Sequence, residues 1–270
     1  MDPDLSLQEK GEWMRHGLKV VLAGLLLVLS TEGAWAQIVN TQPLLDKSEK
    51  KGFAAEFTGT MDWRTGNTTL IQLGGNLFLT GKFRRNRIIS SSSIEWGMKN
   101  DVNFLNSMFT HLRHQYKITS WLTSEVFGQV SKNQFMRVNL RVLGGVGPRF
   151  EIVNTDPFRL AVGVAYMFEH EEVDTADSNT NDTHQTHRMS SYLSVSWKLD
   201  ENLSVGSSTF FQPAVTNFQD YRVANDESLT VSVTDHLAVS LSFQLWYDSR
   251  APASVESLDT VTLGKLTVGF

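Results

Sequence analysis

The chain contains no cysteine, which excludes disulfides, zinc–thiolate centres, cysteine nucleophiles and a thioether lipid anchor. It has no surplus of basic residues. The formal net charge is −5, so overall charge does not point to nucleic acid, whose binders carry clustered positive charge. It also lacks an apolar run long enough for a spanning helix: residues 20–29 form an unbroken run of ten, against the roughly 20 a helix needs to cross a bilayer. Mean hydropathy is −0.20. That value suits a soluble protein, but a barrel that hides polar side chains inside averages out the same way.

What is present begins with the amino terminus. "MRHGLKVVLAGLLLVLSTEGAWAQ" places basic Arg15 and Lys19 before the apolar run and Ala34-Trp35-Ala36 after it. Charged start, short greasy stretch and small-x-small site predict a secretory signal over residues 1–36, cleaved after Ala36, with an uncleaved anchor as the competing reading. The acidic stretch before Met14 is foreign to such signals, so Met14 is expected to be the true start. Residues 37–52 are polar, contain a proline and read as a periplasmic lead-in.

From Phe53 to Phe270 the period is close to two. Phe53, Ala55, Phe57, Gly59, Met61 and Trp63 share one face, while Glu56, Thr58, Thr60 and Asp62 share the other. Similar alternation returns at 136–146, 158–168, 193–198 and 237–247; it is weakest near 82–98, 103–115 and 221–233. The count is twelve strands of about nine to twelve residues each. Alternation alone also fits a soluble sandwich. Strand length, the Gly, Ser, Asn, Arg and Glu content of the second face, and aromatics near strand ends favour the inverted arrangement. The fold class predicted is therefore all-β: a transmembrane antiparallel up-and-down β-barrel of about 12 strands, in the cell outer membrane of a Gram-negative bacterium. Trp63, Trp121, Phe158, Phe168, Trp197, Phe211, Tyr247 and Phe270 are the candidates for its interface girdles.

Connections after even strands should be short and periplasmic, as "LDENL" and "TDHL" are. Those after strands seven, nine and eleven, "EHEEVDTADSNTNDTHQTH", "QPAVTNFQD" and "DSRAPASVES", should be long and external. Because a bare strand edge is unsatisfied in hydrocarbon, the last strand should meet the first, with Phe270 pairing near Phe53. Leu266, Val268 and Phe270 form a terminal pattern like the signal read by outer-membrane assembly machinery.

Over residues 53 to 270 the chain resembles the salt-induced, YdiY-like outer-membrane proteins of unassigned function. The resemblance rests on "WRTGNTT" at the end of strand one, on "RVNLRVLGGVGPRF", and on the carboxy-terminal strand. Pro148 departs from the family pattern, which continues that strand with an aromatic. The resemblance implies a barrel and a location, not a reaction.

Glu56, Asp62, Arg137, Arg141, Arg149 and Arg159 point inward by parity, as does Glu125. An unpaired charge inside a narrow barrel is expensive, so these groups must pair or stay wet. They either form a salt-bridged plug in a structural barrel or line a small passive pore for ions or small polar solutes, with the arginines favouring anions. His170, His184 and His187, among acidic neighbours, are candidates for divalent-ion contact beside lipopolysaccharide, although their segment reads as a solvated loop. A lipid hydrolase using His111 or His114 with a wall serine is the enzymatic alternative; nothing in the sequence fixes a nucleophile beside a base, and a non-enzymatic protein without cofactor is expected. Location implies outer-membrane lipid, lipopolysaccharide and the barrel-assembly machinery as partners.

Overall fold

The computed structural model describes residues 52–65, 69–100, 102–134, 136–174, 181–234, 237–252 and 255–268. The expected signal, residues 37–51 of the expected lead-in and Phe270 lie outside them; Gly52 already belongs to the first strand. Twelve strands are described: β1 (Gly52–Arg64), β2 (Leu70–Phe83), β3 (Asn86–Lys99), β4 (Val102–Lys117), β5 (Leu122–Asn133), β6 (Val138–Asn154), β7 (Phe158–Asp174), β8 (Asn181–Lys198), β9 (Leu203–Ala214), β10 (Asn217–Thr234), β11 (Leu237–Asp248) and β12 (Leu258–Val268). Each pairs antiparallel with the next, in sequence order, as one meander.

The exposure pattern is inverted relative to a soluble core. Along β7, Ala161, Ala165, Met167 and Glu169 are buried, whereas Val164, Tyr166 and Phe168 between them are exposed. Phe57 is 74% exposed, Trp63 68% and Ile94 61%, while Arg113, Gln115, Glu125, Arg149 and Arg188 are buried. The sheet rolls so that inward faces of distant strands touch: Tyr192 on β8 donates its hydroxyl hydrogen bond to Glu125 on β5 at 2.7 Å. Arg222 on β10 reaches Glu169 on β7 at 2.7 Å. A flat sheet cannot bring strands three apart into contact; a barrel wall does.

Several expectations are corrected. The strands run from 11 to 18 residues, longer than anticipated. The histidine-rich segment is not a loop over 169–187: β7 and β8 stay paired from Phe158↔Trp197 to Asp174↔Asn181, leaving only 175–180 to connect them. Its polar composition reflects inward carboxylates that meet arginines. Likewise "QPAVTNFQD" is not a long connection. β9 ends at Ala214 and β10 starts at Asn217, with a register shift between Asn217 and Tyr221. Their polar side chains serve the interior: Asp220 accepts from Arg188 and the Gln212 amide donates to the Ser190 hydroxyl. The β11–β12 connection, 249–257, is long as expected.

Closure is the remaining difference. β1 and β12 share no backbone pairing among the described residues. Among the described residues β1 has no backbone partner on its outer edge, and its inward Glu56, Thr58 and Asp62 are partly open. Pro148 sits inside β6, where it keeps register with Ser124 of β5; on the β7 side the paired residues step from Val146 to Arg149, which accommodates a residue with no N–H to donate.

Candidate functional site

Two charge clusters occupy the interior, held by inward positions of β4 to β11. The first lies toward the end carrying the β7–β8 connection. Its centre is Glu169, only 1% exposed. Arg141 donates to it from β6 at 2.6 and 2.8 Å, Arg222 from β10 at 2.7 and 2.8 Å, and Arg188 from β8 at 3.3 Å. The arginines are in turn shared: Arg222 holds Glu171 at 2.8 Å and Asp248 at 2.6 Å, and Arg188 holds Asp220 at 2.9 Å. Three guanidinium groups on one carboxylate would be heavily overcharged alone; Glu171, Asp220 and Asp248 restore the balance that burial demands. Each strand from β6 to β8, and β10 and β11, thus ties to another through charge-assisted bonds, the strongest non-covalent links available to side chains.

The second cluster lies nearer the other end. Glu125 accepts from Gln115 at 2.6 Å and from Tyr192 at 2.7 Å, and lies 3.6 Å from Arg113. Arg149 donates to Tyr192 at 3.2 Å and pairs with Glu151 at 2.7 Å. Arg113 lies over the Phe127 and Tyr192 rings, 5.3 and 5.6 Å from their centroids. Tyr192 owes its position to Gly163, its direct partner on β7. A Cβ there would stand 2.0 Å from the ring, so the glycine supplies the space in which the tyrosine lies across the wall.

Between the clusters is a cavity of about 20 Å³, roomy enough for a water or so. It is lined in part by His111, Arg113, Gln129, Arg141 and Gln212. Among the described residues Gln212 Oε1 has no hydrogen-bond partner; water in the cavity can reach such an atom.

Of the residues singled out by sequence, Arg141, Arg149 and Glu125 belong to these clusters. Arg159 and Glu56 lie on inward positions of β7 and β1, outside them. Asp62 pairs locally with Arg64 at 2.6 Å. Arg137 is in the β5–β6 turn with φ of 56°, so it caps the wall instead of lining it. His170 and His187 are on the outward face; His170 approaches Glu172 at 3.4 Å, and His187 bonds the Tyr166 hydroxyl. Among the described residues no three His, Asp or Glu side chains gather as a metal site. His114 bonds Asn86 at 2.9 Å.

The aromatics fall in two rows. Trp121 stacks on Phe150 and Phe158 packs edge-on against Trp197 at one end. At the other, Phe168 and Tyr166 meet His187, and Phe211, Tyr221 and Tyr247 form a chain. Trp63 lies near that same end of β1. Leu266 and Val268 take their places in register on β12, opposite Val239 and Leu237.

The sequence reading missed Glu169, Glu171, Arg188, Arg222 and Tyr192 as interior residues. The signal was available: the parity of Ala161, Gly163 and Ala165 continues unbroken to Glu169 and Glu171. Loop-like composition masked it.

Fold and interior together define an up-and-down β-barrel with a greasy outside and a charged inside. The chain belongs to the family described as "Protein of unknown function, DUF481", whose model matches residues 60–270. No curated protein matches it in sequence. Among solved structures it is similar to the NanC porin (TM-score 0.47, 10% identity, covering 80% of this chain and 99% of that one). It is also similar to the KdgM porin in complex with disordered oligogalacturonate (0.41, 12%, 79% and 99%). The CymD monoaromatic hydrocarbon channel is a third (0.40, 10%, 89% and 86%).

Proposed function

We propose that the protein is an outer-membrane barrel whose interior is braced shut, a structural envelope protein without a standing open channel and without an enzymatic role. The membrane part rests on the outward apolar face and the two aromatic rows. Phe158 and Phe168 are ten residues apart on β7; at roughly 3.3 Å per residue and a tilt near 40° the rows stand about 25 Å apart, the height of a barrel's apolar band. The closed part is carried by one observation: Glu169 is gripped from three strands at once. Arginines so engaged offer a passing anion little, because every guanidinium of the cluster already faces a carboxylate. Lipid, lipopolysaccharide and the assembly machinery follow as partners from the location.

Planar-bilayer recording tests this. The purified barrel should be silent, and the double variant Glu169→Ala/Arg222→Ala should open steady conductance. Steady conductance of the unaltered protein would overturn the closed reading. A second reading, a narrow passive pore, is favoured by the partly open inward residues of β1, which lie outside the two charge clusters. It predicts wild-type currents that are indifferent to the double variant.

A further inference from the structure

The outward face carries a groove of about 320 Å³ at the edge where β1 to β4 meet. Small residues make its floor: Gly81 and Ser90 lie diagonally on adjacent strands, two residues apart in register. Phe53, Phe83, Ile88 and Leu112 wall it, and all four are exposed. Gly81 leaves room for the Phe83 ring, which a Cβ there would meet at 2.8 Å. A groove with a small-residue floor and mostly apolar walls suits a hydrocarbon chain better than a polar ligand.

The slot ends at the β2–β3 turn, 84–85, within the sequence "KFRRNR". Arg84 and Arg85 are exposed there, with Arg84 in the left-handed region at φ 52°. Lys117 is tied to the same turn through its backbone, which donates to the Arg85 carbonyl at 2.8 Å. None of these three side chains has a carboxylate partner among the described residues, in a chain whose net charge is −5. Evenly spent charge would not leave three cations together at the mouth of an apolar slot.

We infer that this groove and its basic rim bind one anionic phospholipid, an acyl chain lying along Gly81 and Ser90 and the phosphate against Arg84, Arg85 and Lys117. The inference rests on the membrane reading above. On that reading the β2–β3 turn is at the periplasmic end, which faces the phospholipid leaflet. Basic residues at a membrane surface draw anionic headgroups at close range, and each adds to the preference.

The full barrel, folded in detergent, is mixed with equal phosphatidylglycerol and phosphatidylcholine, and retained lipid is read by native mass spectrometry. One phosphatidylglycerol should be kept in preference to phosphatidylcholine by roughly tenfold. Arg84→Gln/Arg85→Gln/Lys117→Gln should bring the two lipids level, and Ser90→Trp, which fills the slot, should lose both. The gel shift between boiled and unboiled samples verifies that each variant is folded. Equal retention by the unaltered barrel, a preference that survives the triple change, or a lipid-free dimer abolished by Ser90→Trp would each overturn the inference. None of those results would touch the membrane reading. That reading fails separately if the protein stays a compact monomer in buffer without detergent.

Discussion

At the scale of single residues, Glu169 and Gly163 matter most, and for opposite reasons. Glu169 supplies the charge on which Arg141, Arg188 and Arg222 converge. Glu169→Gln keeps the shape but leaves buried guanidinium groups without their counter-charge, and should lower stability by about 3–5 kcal/mol. Urea titration of the folded species in micelles reads this; a loss under about 1 kcal/mol would mean the cluster stays hydrated enough not to need the charge. Gly163 supplies emptiness. Gly163→Ala should cost about 1–3 kcal/mol by pushing Tyr192 off Glu125. In a Tyr192→Ala background the same change should cost far less, since the clash has gone with the ring.

At the scale of elements, the alternation along each strand separates two environments. Val164 sits on the outward face of β7, between Phe158 and Phe168. Val164→Arg should therefore destabilise the barrel by about 2–4 kcal/mol if that face meets hydrocarbon. On a water-facing sheet the same substitution would be close to neutral, and a measured change within about 0.5 kcal/mol would favour water. Strand number and order were legible in the sequence because period two survives in nearly every element. Strand ends were not. At 169–174 and 181–187 carboxylates, histidines and threonines occupy paired positions, and composition alone cannot tell a solvated loop from a strand whose polar face is answered by arginines across the interior. Those arginines lie on β6, β8 and β10, so the information that fixes the end of β7 is spread through the chain. Arg141 and Arg149 could be assigned inward from local parity; their partners could not be assigned, because pairing across a barrel depends on curl and register.

At the scale of the whole molecule, the charge clusters tie β4 to β11 across the interior, while among the described residues β1 pairs by its backbone with β2 alone. Stability should accordingly be uneven, with the β1–β2 hairpin opening at lower cost than the β6–β8 wall. Hydrogen exchange in micelles would rank them: amides of Ala55, Phe57 and Gly59 should exchange well before those of Ala161, Gly163 and Ala165. Equal protection would instead imply that the seam at β1 is sealed as tightly as any other. The exposed apolar surface should also make the unboiled barrel run differently from the boiled chain on a gel, and identical mobility would count against a barrel.

The asymmetry between the two rims has a practical reading. Residues 249–257 leave ample chain between β11 and β12, whereas 84–85 at the opposite rim leave no slack. A short epitope spliced into 249–257 should be tolerated, because added chain there strains neither β11 nor β12. Antibody would stain unbroken cells carrying it if that rim looks out on the medium, and would need permeabilised cells if the barrel is inserted the other way up.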